Sequence, residues 1–183
     1  MFSDARSKKI VFVSHCVLNQ NSISDATADY PGTNEGILKS LIQAKVGIVQ
    51  MPCPELLCLG LDRGDIHGGE RDVVVENTRI RKKLEEPNSI EIIKDLVNQI
   101  VFQIEEYRRN GFAVLGIIGI NRSPSCGVNT TSRDNQEVEG QGVFFEALGK
   151  ALEKKNISVD MIGIKAAETD KALKSIQELI AKN

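Results

Sequence analysis

The chain has 183 residues, 41% of them hydrophobic, with a formal net charge of −2, which is enough for one ordinary domain that buries its core without disulfide or metal staples. No apolar run is long enough to cross a bilayer, basic residues are dispersed and aromatic side chains make up only 4%, so neither a membrane span nor a polynucleotide-binding face is expected. The polar opening stretch, Met1 to Lys9, lacks a secretory pattern, so a cytoplasmic location is expected, where four cysteines serve thiolate chemistry or packing rather than disulfides.

In chain order, the pattern alternates strand and helix. The first strand is expected over Ile10 to Ser14, followed by a long Asn/Ser/Asp-rich loop and a helix from Asn34 to Ala44 with Ile37, Leu38, Leu41 and Ile42 on one face. A second strand covers Val46 to Gln50. Residues Cys53 to Val75, rich in glycine and charge, read as irregular, and the basic stretch Arg79, Arg81, Lys82 and Lys83 as a solvated helix start. Asn88 and Glu91 resemble a capping pair for a long helix carrying Ile93, Val97, Ile100, Ile104 and Tyr107 and stopping at Asn110-Gly111. A central strand, Phe112 to Ile120, is apolar on both faces. A polar loop, Asn121 to Gln141, leads to a helix from Gly142 to Lys154, a fourth strand over Ile157 to Ile164 and a last helix from Glu168 to Lys182. The expected fold is α/β: one three-layer α/β/α domain over residues 1–183, Rossmann-like, with a mostly parallel sheet of about four to five strands. The economical strand order is 2-1-3-4.

Cys16, Cys53 and Cys126 each follow an apolar strand-like run. In an open parallel sheet, ligands bind outside the carboxyl ends of the strands, so these three thiols are expected to converge. Their wide separation in sequence points to a site assembled by tertiary structure, and converging thiolates hold a metal or an iron-sulfur cluster. Prolines beside Cys53 and near Cys126 restrict the backbone there, and Gly127 is expected to allow close approach to whatever Cys126 binds. Cys58 reads as buried packing. No HExxH, GxxxxGK[ST] or GxGxxG spacing is present, which argues against a zinc hydrolase and against the usual phosphate-cradling loops.

Three segments, Ser14-His-Cys-Val-Leu-Asn-Gln-Asn21, Pro52-Cys-Pro-Glu55 with Leu59-Gly-Leu-Asp-Arg63, and Ser123-Pro-Ser-Cys-Gly127, together resemble the small iron-sulfur proteins related to thiouracil desulfurase (TudS). The resemblance runs through nearly the whole chain in the same order. It implies a [4Fe-4S] cluster on Cys16, Cys53 and Cys126 with one iron lacking a protein ligand, loading by iron-sulfur assembly machinery, and removal of sulfur from a small thiolated heterocycle without net redox change. Beside the cluster, Glu55 is the candidate acid/base, Ser123 the hydroxyl donor or relay with Ser125 as the alternative, expected to face the opposite way on an extended loop, and Asn19 a reader of the heterocycle edge. His15 is placed to hydrogen-bond a cluster sulfide. Two rival readings remain open from the residues alone: a non-enzymatic iron-sulfur or metal-binding sensor, and a cluster-free enzyme with Cys126 as nucleophile activated by His15.

Overall fold

The computed structural model describes residues 2–182 and has the expected α/β architecture. Strands β1 (Lys9–Val13), β2 (Gly47–Gln50), β3 (Ala113–Ile120) and β6 (Met161–Ile164) form one sheet in the order β2-β1-β3-β6. All its neighbours run parallel. Strand β1 pairs with both β2 and β3, the compact arrangement expected for a chain of alternating elements. The order anticipated from the sequence is therefore correct. The fourth strand begins later than expected, at Met161, and supplies only four residues.

Helices cover both faces. Helices α2 (Glu35–Gln43) and α7 (Thr169–Ala181) pack Ile37, Leu41, Ile176 and Leu179 against Val11, Val13 and Ile118. On the other face, α4 (Val73–Leu84), α5 (Pro87–Arg109) and α6 (Val143–Lys154) bring Ile80, Leu84, Ile100, Ile104, Phe144 and Phe145 against Phe12 and Ile117. Alternation along β1 sends Val11 and Val13 one way and Phe12 the other, as period two demands. In β3 the register against β1 slips at Leu115, so Leu115 faces the same side as Ile118.

Four expectations need correction. The stretch after Cys53 is not irregular: α3 (Pro54–Leu59), a 3-10 turn at Gly68–Glu70 and α4 occupy most of it. The basic run lies in the second half of α4 rather than at a solvated start, and Arg81 is buried there, bonded to Thr131 Oγ1 and the Gln141 carbonyl. Helix α5 begins at Pro87, so Asn88 is inside it and caps nothing; proline at the first position needs no amide partner. The polar stretch after Asn121 folds into an antiparallel hairpin, β4 (Thr130–Arg133) and β5 (Gln136–Glu139), turned by Asp134 and Asn135, both at positive φ. The first long loop also carries a short helix, α1 (His15–Leu18), directly after β1. Among the described residues no helix is long and apolar enough to cross a membrane.

Candidate functional site

The carboxyl ends of β1 and β3 are adjacent in the sheet, but the chain leaves them in opposite directions along it, β1 toward β2 and β3 toward β6. Such a divergence opens a crevice that neither crossover helix fills. Here the crevice is a cavity of about 390 Å³, lined by Cys16, Cys53 and Cys126 together with Glu55, Ser123 and Ser125. Cys58 is not on its wall.

Each cysteine is delivered by a different local device. Cys16 sits in α1, started by Ser14, whose amide and hydroxyl both donate to the Ile118 carbonyl and so tie the end of β1 to β3. Cys53 is the N-cap of α3, its Sγ accepting from the Leu56 amide at 3.5 Å, with Pro54 at the first helical position. Cys126 lies in a tight loop after β3. That loop is closed by the Cys126 carbonyl on the Ile120 amide and by Ser123 Oγ, which accepts from the Cys126 amide at 3.0 Å. The first amides of α6, which have no partner within the helix, donate to the Pro124 and Ser125 carbonyls and grip the same loop.

All three thiols are free, and all three are hard to ionise as they stand. Burial pushes Cys126 up to about 12, with repulsion from Cys53 adding to it and the Ser125 and Ser14 hydroxyls opposing. Burial and the Glu55 carboxylate raise Cys53 to about 11. Cys16 is raised well above the ordinary value by burial, then by Cys126, Cys53 and Glu55. All three thiols line the same cavity. A buried thiol held protonated is a poor nucleophile, and His15 is engaged by Asn19 at 3.4 Å with its own pKa lowered, first by burial and then by Arg63. Among the described residues no hydrogen bond joins His15 to Cys126, the pair that the nucleophilic-cysteine reading needs.

Among the described residues no three His, Cys, Asp or Glu side chains stand in an arrangement that would hold a single metal ion. Three thiol donors share the walls of this roomy cavity with His15 and Glu55, and thiolate sulfur is the donor type that polynuclear iron-sulfur groups take. The donor set fits a cluster with three protein ligands.

Glu55, in the first turn of α3, is buried at 7% exposure and fully engaged. Arg63 Nε donates to its Oε2 at 3.0 Å and Ser24 Oγ to the same oxygen at 3.3 Å. Its Oε1 accepts from Ser125 Oγ at 2.5 Å and from Ser123 Oγ at 3.4 Å. The two serines do not face opposite ways, because the loop is a turn and not an extended segment: their hydroxyl oxygens are 3.2 Å apart. Ser123 mainly organises the turn, whereas Ser125, buried at 1%, bridges Glu55 and Cys126, whose Sγ is 3.5 Å from its hydroxyl. Asn19 does not line the cavity; its side-chain oxygen accepts from the Asn21 amide and caps the turn at Gln20–Ser22. Gly127 serves the loop and not a ligand, since a Cβ there would lie 2.9 Å from the Ser123 carbonyl and collide with that of Thr130.

Sequence reasoning passed over Arg63, Gln20 and Ser24, all on the cavity wall. Arg63 stood inside a quoted motif, but nothing in its spacing shows that it is buried against Glu55. Gln20, 4% exposed, ties the Cys16 carbonyl to the Asp29 amide and so braces the cavity wall.

No protein-family model matches the chain, and no solved structure does. The chain is 27% identical over 177 residues to the uncharacterized protein MJ0003 of Methanocaldococcus jannaschii, an alignment covering 96% of this chain and 99% of that protein.

Proposed function

We propose that the protein is a [4Fe-4S]-dependent, non-redox desulfurase that exchanges the thiocarbonyl sulfur of a small thiolated heterocycle, such as a thiouracil, for the oxygen of water. The observation that carries this reading is the joint placement of three thiols and a carboxylate-hydroxyl pair around one cavity. Cys16, Cys53 and Cys126 would hold the cluster, loaded by iron-sulfur assembly machinery in a reducing cytoplasm. When bound, the group supplies an iron without a fourth protein ligand, a Lewis acid with affinity for soft sulfur.

The chain's own residues handle the protons. Overall, a thiocarbonyl and one water give a carbonyl and one hydrogen sulfide, so two protons leave water and end on sulfur, with no electrons exchanged. Glu55 Oε1 accepts each water proton in turn, the first as water adds to the carbon and the second as the new carbonyl forms, and returns that proton to the departing sulfur before the next is taken. Ser125, bonded to Oε1 at 2.5 Å, is the hydroxyl through which that proton passes.

The test is anaerobic reconstitution with iron and sulfide, followed by incubation with thiouracil. The expected result is a brown protein that yields sulfide and the oxo product together. A brown protein that yields neither would point to the sensor reading, and a protein that takes up no iron would remove the cluster from the account.

A further inference from the structure

We propose that Arg63 is the positioning residue that orients the Glu55 carboxylate, holding one oxygen on the guanidinium so that the other meets the Ser125 hydroxyl, an inference that rests on Glu55 being the proton carrier described above. Arg63 is 3% exposed and lies at φ +56 in the turn after α3, a backbone conformation that side-chain-bearing residues rarely adopt. Its guanidinium is the hub that holds this turn in place. Nε donates to Glu55 Oε2 at 3.0 Å, Nη1 to the Gly60 and Leu61 carbonyls at 3.0 and 3.1 Å, and Nη2 to the Ser22 carbonyl at 2.5 Å. Four acceptors are met by one rigid fork.

The consequence for Glu55 is a division of labour between its oxygens. Oε2 is occupied by Arg63 and by Ser24 Oγ, both outside the thiol loop. Oε1 is left to the Ser125 and Ser123 hydroxyls, next to Cys126. Turning the carboxylate would break the guanidinium bond. A lysine could supply the charge but not the fork, because an ammonium has no fixed plane and could not reach the Gly60, Leu61 and Ser22 carbonyls together with Glu55. The competing explanation is that Arg63 is only a clamp joining Ser22 to the α3 turn.

A pair of double-mutant cycles on Arg63→Met and Glu55→Gln separates these. In the cluster-free protein, each single change is expected to lower the thermal midpoint by roughly 5–10 °C, and the double change by clearly less than the sum. In cluster-loaded protein, Arg63→Met is expected to slow single-turnover sulfide release by on the order of tenfold to a hundredfold per bound iron, with half-saturation unchanged. Combined with Glu55→Gln it should slow release no further. Arg63→Lys, the fallback if Arg63→Met does not fold, should stay closer to Arg63→Met than to wild type. Additive midpoints, or rate losses that multiply in the double variant, would overturn the proposal in favour of the clamp. So would a crystal structure of either Arg63 variant with the Glu55 carboxylate in its wild-type orientation, one oxygen still on the Ser125 hydroxyl. Absence of sulfide from wild type would instead strike the desulfurase reading, and the cluster-free cycle and that crystal structure would then decide the Arg63–Glu55 question by themselves.

Discussion

Cys53 and Cys58 sit near opposite ends of α3 and meet different surroundings: the first caps the helix and lines the cavity, while Cys58 Sγ points to the Ser89 carbonyl at 3.8 Å and packs against the core under α5. Serine at positions 16, 53 or 126 is therefore expected to strip most iron from the reconstituted protein, whereas Cys58→Ser should retain wild-type iron and cost about 1 kcal/mol of stability. Iron per chain and urea unfolding check both halves; equal iron loss from Cys58→Ser would mean a fourth ligand. Glu55→Gln should keep iron and lower single-turnover sulfide release by on the order of a hundredfold. The sequence placed Ser123 ahead of Ser125; both hydroxyls reach Glu55 Oε1, Ser125 at 2.5 Å and Ser123 at 3.4 Å. Ser125→Ala is expected to reduce the rate more than Ser123→Ala, with Ser123→Ala showing its effect mainly as lost loop stability, since its hydroxyl accepts two backbone amides. What the sequence displayed was the chemistry of the loops, cysteines and hydroxyls at strand ends; what it hid was partnership, because Arg63 finds Glu55 only after the turn at Gly60 folds back.

At the scale of elements, the helices recognised correctly were those with an apolar stripe, such as α2, α5 and α7, and those missed were short or polar. Helix α4 buries Glu76, Asn77, Thr78 and Arg81 beside Ile80 and Leu84, so its inward face does not read as hydrophobic. Its buried polar groups face the equally polar hairpin, with Asn77 Nδ2 on Ser132 Oγ and Arg81 on Thr131 Oγ1. The same packing makes the Cys126 loop intolerant of extra atoms. Gly127→Ala would place a methyl against the Thr130 and Ser123 carbonyls, and because backbone cannot yield as a flexible side chain does, the loop must shift. The expected cost is about 1–3 kcal/mol together with reduced iron retention. Urea unfolding of cluster-free protein and iron loss on gel filtration would register the two effects, and unchanged values for both would show that the loop can relax at no cost.

For the whole molecule, the parallel order β2-β1-β3-β6 fixes where the cavity opens, and a network around Glu76 holds the segment that carries Arg63. Glu76 Oε1 accepts from Arg79 at 2.6 Å and Oε2 from Arg71 at 2.9 Å, its side chain being only 8% exposed. The Arg79 guanidinium, and then its charge and that of Arg71, hold this carboxyl below the ordinary glutamate value of 4.5 against the opposing effect of burial. Arg71 in turn reaches Asp65, and Arg79 the Arg63 carbonyl, so the network joins α4 to the loop before it. A folded pKa below the unfolded one means that the ionised pair stabilises the fold above the ordinary carboxyl value, and that this contribution disappears as pH falls through 4.5 toward the folded value. Glu76→Gln is accordingly expected to be less stable than wild type at neutral pH, with the gap narrowing in acid until the two unfolding curves coincide. High salt should narrow part of the gap, because the Arg71 and Arg79 ends of these pairs are 36% and 25% exposed and open to screening. Urea midpoints measured across the acid range check this. A gap that stayed constant into strong acid would show that Glu76 contributes through packing against Gly68 and not through its charge.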